Sequence, residues 1–170
     1  FKFLYGTASN TVCLALGRCI IIHCSATPAG KDFRANDSDR MHKAQGWKGI
    51  GYNYVIPLDG VVETGRSLSI NGAHCPGYND HSVGICYIGG LDAMGKAADT
   101  RTPAQKEALR NLVATLCEQY NIIEILGHRD TSPDLNDNGI VEPSEWIKMC
   151  PCFEVRDEFV NFMRPVIIRP

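Results

Sequence analysis

Little in this sequence of 170 residues points toward a membrane or toward nucleic acid. No apolar run approaches the roughly 20 residues that a bilayer-spanning helix needs, so membrane insertion of that kind is excluded. Positive charge is not in excess, since 17 Lys and Arg stand against 19 Asp and Glu for a net charge of −2. A duplex nucleic-acid binder usually shows a basic stripe, so no nucleic-acid partner is expected. Repeats, low-complexity tracts and linker-like stretches are also missing, which leaves one domain of ordinary size. No strong apolar stripe is left over for self-association, and a monomer is the expectation.

What is there suffices for a core. The hydrophobic fraction is 44% and the charged fraction 21%, a balance of folded rather than disordered chains. The eight cysteines raise the question of a disulfide frame, but a core of this size does not need staples. Cys24, Cys86 and Cys117 lie in apolar stretches and read as small buried hydrophobes. Cys13 and Cys19 are candidates to pair. The sequence leaves their state open, with that of Cys75 and Cys152. The chain starts at Phe1 rather than Met, as a chain with its leader removed would. Residues 1–16 nevertheless lack a convincing apolar core and cleavage site, and the cysteines lean toward synthesis in a reducing cytoplasm.

Strand and helix signals alternate. Residues 20–24, Ile-Ile-Ile-His-Cys, form a β-branched run that reads as a buried strand. Residues 37–46 read as a helix, with Asn36 or Asp37 as its cap and Gly46 as its stop. Tyr52–Leu58, Asp59-Gly60 and Val61–Thr64 read as a hairpin, because Asp-Gly suits a tight turn. Residues 82–88 read as a strand. Pro103–Tyr120 is the clearest helix: Thr102 caps it, Gln105 completes a capping box, and Pro103 fits the first turn. Ala108, Leu109, Leu112, Val113, Leu116 and Tyr120 share one face. A strand over 122–126 delivers His128, and 152–162 reads as a last helix. The expected fold class is α/β: a single domain with a central mixed β-sheet flanked by helices.

A catalytic zinc site takes three protein ligands and keeps one position open. His23 closes a predicted strand, His128 follows another, and Cys150 lies in Lys148-Met149-Cys150-Pro151. Strand ends that project into one cleft would bring such residues together. By themselves these are two isolated histidines and a cysteine, without the short spacing that marks a strong zinc motif.

The order of motifs adds more. His23-Cys24-Ser25-Ala26-Thr27 resembles the opening motif of the type 2 N-acetylmuramoyl-L-alanine amidases, the superfamily of phage lysozyme-amidases and peptidoglycan recognition proteins. His42 to Trp47, Gly51-Tyr52-Asn53-Tyr54, Glu63-Thr64-Gly65-Arg66, Ala73-His74 through Asn79, Ser82 to Gly90, Thr102-Pro103-Ala104-Gln105 and Gly127-His128-Arg129-Asp130 continue the likeness in order, over roughly residues 20–160. The resemblance implies an amidase domain over 20–163, preceded by a segment 1–19 of unknown role. It implies His23, His128 and Cys150 as zinc ligands, with Tyr52 and Lys148 catalytic. His74 and Asn79 would line the substrate groove, and Arg129 and Asp130 would orient the zinc loop or form a plain surface pair. The expected substrate is bacterial peptidoglycan, cut between N-acetylmuramic acid and L-alanine. The expected setting is a phage or prophage lysin held in the bacterial cytoplasm until it reaches the wall, or an exported, periplasmic enzyme. The rival reading is a recognition domain without catalysis; such domains usually lose the cysteine that stands here as Cys150.

One stretch departs from the compact phage pattern. Residues 134–145, Asp-Leu-Asn-Asp-Asn-Gly-Ile-Val-Glu-Pro-Ser-Glu, fit the spacing of an EF-hand calcium loop. Asp134, Asn136, Asn138 and Glu145 would give side-chain oxygens and Ile140 its carbonyl, with Gly139 at the sharp turn. The expectation is a calcium ion that steadies Lys148 and Cys150; the alternative is a polar turn without an ion. Cys152 is a competing thiol two residues from Cys150.

Overall fold

The computed structural model describes residues 19–162. Segment 1–18, with Cys13 and its proposed pairing, lies outside the described residues. Five strands form a mixed sheet in the order β4-β3-β5-β1-β7. They are β1 (Cys19–Cys24), β3 (Tyr54–Ile56), β4 (Glu63–Thr64), β5 (Ser82–Tyr87) and β7 (Glu124–Gly127). All neighbours are parallel except β3 and β4. Thr27–Pro28 (β2) and Gly90–Leu91 (β6) form a separate short pair. The helices are α1 (Ala35–Ala44), α2 (Pro103–Gln119) and α3 (Val155–Glu158). The expected α/β class and mixed sheet are therefore those observed, and no helix among the described residues is long and apolar enough to cross a membrane.

The two faces of the sheet have different tasks. Successive strand side chains point to opposite faces. Ile20 and Ile22 of β1 and Val83, Ile85 and Tyr87 of β5 pack with Leu109, Val113 and Leu116 of α2 in the main core. Cys19 and Ile21 face the other way, toward Cys75 and Leu126. His23 continues this second row. The sequence therefore sets it on the face away from α2, at the carboxyl end of a central parallel strand, where open α/β sheets commonly hold their sites.

Helix α2 follows its predicted bounds to within a residue. Thr102 Oγ1 accepts the Gln105 N–H at 3.1 Å, and Gln105 Oε1 accepts the Thr102 N–H at 2.9 Å. Fully buried Gln105 also donates to the Ile56 and Ile88 carbonyls, both at 2.9 Å. An amide buried this deeply is tolerable because its polar atoms are satisfied.

Three elements differ from the sequence reading. Helix α1 starts earlier than 37 because Glu63 accepts the Ala35 N–H and Asp37 accepts the Arg34 N–H, each at 2.8 Å. A strand distant in sequence thus supplies an N-terminal acceptor. The hairpin is not a two-residue Asp-Gly turn. Only Tyr54↔Thr64 and Val55↔Glu63 pair, and Gly60 donates to the Pro57 carbonyl at 2.9 Å. Pro57 has no N–H for the ladder, and the turn docks on α2, where a Cβ on Gly60 would stand 2.6 Å from the Ala104 oxygen. The last helix is only α3, followed by a 3-10 turn at Val160–Phe162. Cys152 sits at φ +71°, which an α-helix cannot include. Buried Arg101 fixes this irregular segment, since it pairs with Asp99 and Glu158 and lies 3.3 Å over the Phe153 ring.

Candidate active site

Strand register brings the two histidines side by side. Ile22 of β1 pairs with Gly127 of β7, so the next residues, His23 still within β1 and His128 just past β7, stand side by side; their ring centroids are 4.4 Å apart. His128 opens a 3-10 turn, His128–Thr131, that Asp130 and Thr131 close. Asp130 accepts the Gly127 N–H at 2.7 Å, and the Thr131 hydroxyl donates to the His128 carbonyl at 2.8 Å. Asp130 therefore shapes the turn rather than forming a surface ion pair.

Cys150 comes from the other wall. The Arg129 N–H donates to the Cys150 carbonyl at 2.8 Å, and the Cys24 N–H reaches Cys150 Sγ at 3.2 Å. One nitrogen from each of His23 and His128 and the sulfur of Cys150 lie within 4.8 Å of one another. Among the described residues this is the group of His, Cys and acidic side chains placed to hold a metal ion. Two imidazoles and a thiol are a donor set that suits zinc. Cys152 is not part of it: its sulfur turns to Cys24 Sγ at 3.9 Å and to the Gly90 carbonyl at 3.5 Å.

The group opens on a cleft of about 420 Å³ lined also by Tyr52 and Lys148. The Tyr52 and His23 rings are 5.1 Å apart. Burial, and then the neighbouring cysteines, hold the Tyr52 hydroxyl protonated well above the usual phenol range. It therefore stays protonated at ordinary pH, bonded to Cys86 at the wall of the cleft. Burial also drives the histidines toward their neutral, metal-ready form. His128 is lowered to about 4, by burial first and the Lys148 charge second. His23 is lowered further, by burial and then by His74, His128 and Lys148.

His74 and Asn79, expected along the substrate groove, are not among the residues that line this cleft. His74 is buried behind the zinc-type cluster, with Nδ1 at 3.0 Å from His23 Nε2. Asn79 Oδ1 accepts the N–H groups of His74 and Cys75, each at 2.9 Å, and so clamps their loop. His42 packs where a helix residue was expected. It stacks on Trp47 and accepts the Gly51 N–H at 3.0 Å, just before Tyr52. Cys24 is a core residue, as its apolar stretch implies, and it also serves the site through its backbone N–H on Cys150 Sγ, a role at which only its place next to His23 hints in the sequence.

The 134–145 loop folds on itself. Asp134 accepts the Asn138 and Gly139 N–H groups, Asn136 that of Asn138, and Asn138 that of Ile140. Buried Glu145 accepts from Leu135, Asn136 and Glu142. These bonds account for the Asx- and Gly-rich pattern as a self-closing turn, and nothing in the structure or in the relatives supports calcium there. The loop still anchors the site. Trp146 follows Glu145 directly and lies under the buried Arg129 guanidinium at 3.9 Å, and Arg129 also pairs with Glu154.

Known proteins resemble this chain over most of its length. The profile of the N-acetylmuramoyl-L-alanine amidase family matches residues 16–140. An endolysin of Klebsiella phage KP32 is 39% identical over 137 residues, which are 81% of this chain and 82% of that one. The solved endolysin amidase LysCS of Clostridium intestinale superposes with a TM-score of 0.66 at 26% identity, over 87% of this chain and 85% of its own. Drosophila PGRP-LB superposes at 0.63 with 28% identity, over 91% and 87%. With a cleft of this construction and likeness over most of its length, the chain belongs to the N-acetylmuramoyl-L-alanine amidase family and is an amidase.

Proposed function

We propose that the chain is a zinc-dependent endolysin-type hydrolase that releases stem peptides from peptidoglycan by cutting the N-acetylmuramoyl–L-alanine bond. The observation that carries the zinc assignment is the convergence of His23, His128 and Cys150 on one face of an open cleft. Three ligands beside open space are the mark of catalytic rather than structural zinc. Endolysins among the relatives support the wall as substrate.

When bound, zinc supplies a Lewis acid that polarises the scissile carbonyl and activates water. The chain's own groups do the rest. Neutral His23 and His128 offer lone pairs, and Cys24 N–H steadies the Cys150 sulfur. The Tyr52 hydroxyl, kept protonated, donates to the oxyanion that develops on the amide carbonyl. The Lys148 ammonium at the cleft wall balances the same charge. Donors aimed in advance at developing charge give large rate effects. The presence of Cys150 in the cluster favours catalysis over recognition alone.

Product analysis tests this reading. Purified wall incubated with the enzyme is expected to yield new L-alanine amino termini without new reducing sugar ends. New reducing ends would assign a glycosidase, and wall binding with no new termini would assign a recognition domain.

A further inference from the structure

The oxyanion and ligand roles above leave one buried histidine without a task. His74 is only 7% exposed, and both its ring nitrogens face partners. Nδ1 lies 3.0 Å from His23 Nε2, and Nε2 lies 3.4 Å from Ser82 Oγ. The Ser82 hydroxyl donates to the Tyr78 carbonyl at 2.6 Å.

This chain can be read from its fixed end. A carbonyl only accepts, and a serine hydroxyl has one proton to give. Ser82 gives that proton to Tyr78, so it offers only lone pairs to His74. The proton of neutral His74 is then on Nε2, and its Nδ1 is bare. A bare Nδ1 at 3.0 Å requires His23 Nε2 to be the donor. His23 therefore keeps its own Nδ1 unprotonated, with a lone pair free for the cleft.

The fold makes room for this ring. An added Cβ on Gly84, inside strand β5, would stand 2.5 Å from His74 Cδ2, and one on Gly72 would stand 2.6 Å from the same atom. Glycine inside a strand weakens it and often marks a close approach; here the approaching group is the His74 ring. Asn53 Oδ1, which accepts the Gly84 N–H at 2.9 Å, steadies the strand at that point. Asn79 fixes the backbone of His74 itself.

We propose that His74 is a positioning residue that sets the tautomer and ring orientation of His23, so that His23 binds metal through Nδ1, by way of the relay His23–His74–Ser82–Tyr78 carbonyl. The proposal rests on the zinc reading of the cluster. Metal-bound histidines usually donate their second N–H to a carboxylate, a carbonyl or water; in this chain an imidazole held between glycines takes that place.

The test has two parts. The first is long-range ¹⁵N NMR of the folded, metal-free protein, which reports the tautomer of each histidine. His23 protonated on Nε2 and His74 protonated on Nε2 are expected; His23 protonated on Nδ1 would overturn the relay. The second is zinc affinity by chelator competition. His74→Leu, which removes the acceptor, is expected to weaken zinc binding about 10–100-fold. His74→Asn, whose Oδ1 replaces Nδ1, is expected to restore most of that loss. A folded His74→Leu protein that binds zinc as tightly as the parent would overturn the proposal. A parent that binds no zinc would refute the metal reading instead, and the NMR tautomers would still decide the relay. They also decide it if the Leu variant does not fold.

Discussion

The two walls of the cleft are built differently. His23 and His128 stand at the ends of adjacent parallel strands at matched register, and behind them stand a buried sheet and a hydrogen-bonded histidine. Lys148 and Cys150 come from a segment with almost no regular structure. It is held by the Arg129 N–H on the Cys150 carbonyl, the Cys24 N–H on the Cys150 sulfur, the Ile147 N–H on the Ser132 hydroxyl oxygen and the Arg129–Trp146 stack. The sheet wall is as stable as the fold. The loop wall rests on a few bonds and can loosen while the sheet stays intact, as local opening in proteins commonly does. Substitutions on the two walls should therefore separate into different classes of defect.

The largest effect is expected where the walls meet over the substrate. Tyr52→Phe from the sheet side and Lys148→Ala from the loop side should each lower turnover by about 10²–10³. Both should fold and keep zinc, since neither belongs to the ligand cluster. Turnover and bound zinc measured on the same samples check this; near-parental turnover in both variants would break the assignment of the oxyanion donors.

Glu145→Ala isolates the loop wall. It removes the acceptor for three part-buried backbone N–H groups, and a hydrogen bond of this kind contributes about 0.5–1.5 kcal/mol net. Urea unfolding should show a loss in that range, and proteolysis should cut first within 134–148 while the sheet persists. A parental unfolding midpoint would mean that the loop is held by something other than Glu145.

Acid acts on the sheet wall. The folded-state pKa values of His74 and His128 are lowered from 6.5 to about 4, chiefly by burial. The unfolded chain therefore binds these protons first. Their contribution to stability is fully present above about pH 6.5 and is lost as pH falls from there to about 4. Unfolding midpoints of the metal-free protein should decline across that window, and midpoints that stay level would contradict the burial argument.

Calcium should have the smallest effect. The loop oxygens already serve the loop's own backbone, so a calcium-selective chelator is expected to leave melting temperature and turnover of the zinc-loaded protein unchanged. A rise in melting temperature that follows calcium concentration and disappears in Asp134→Ala would restore the ion that the EF-hand spacing suggested.

Sequence reading succeeded where the cause was local. The capping residues Thr102 and Gln105, the apolar face of α2 and the Ile20–Ile22 run depend on neighbours within a few positions. The ordered motifs also located His23, His128 and Cys150 correctly enough for the structure to bring them into one group. It failed where the cause was distant. The acceptor that starts α1 early is Glu63, and the irregular path after Cys150 is held by Arg101. Nothing in the motif of His74 names its partner His23, which lies 51 positions away on strand β1. Nothing local in the sequence marks Gly72 and Gly84 as the places that admit the His74 ring.

Zinc content read beside wall hydrolysis tests the central claim most directly. The account predicts about one zinc per chain, release of stem peptides that stops on chelation and returns with zinc, and loss of both zinc and release in Cys150→Ser. A folded protein that releases stem peptides at full rate without zinc, or with Cys150 replaced, would contradict it.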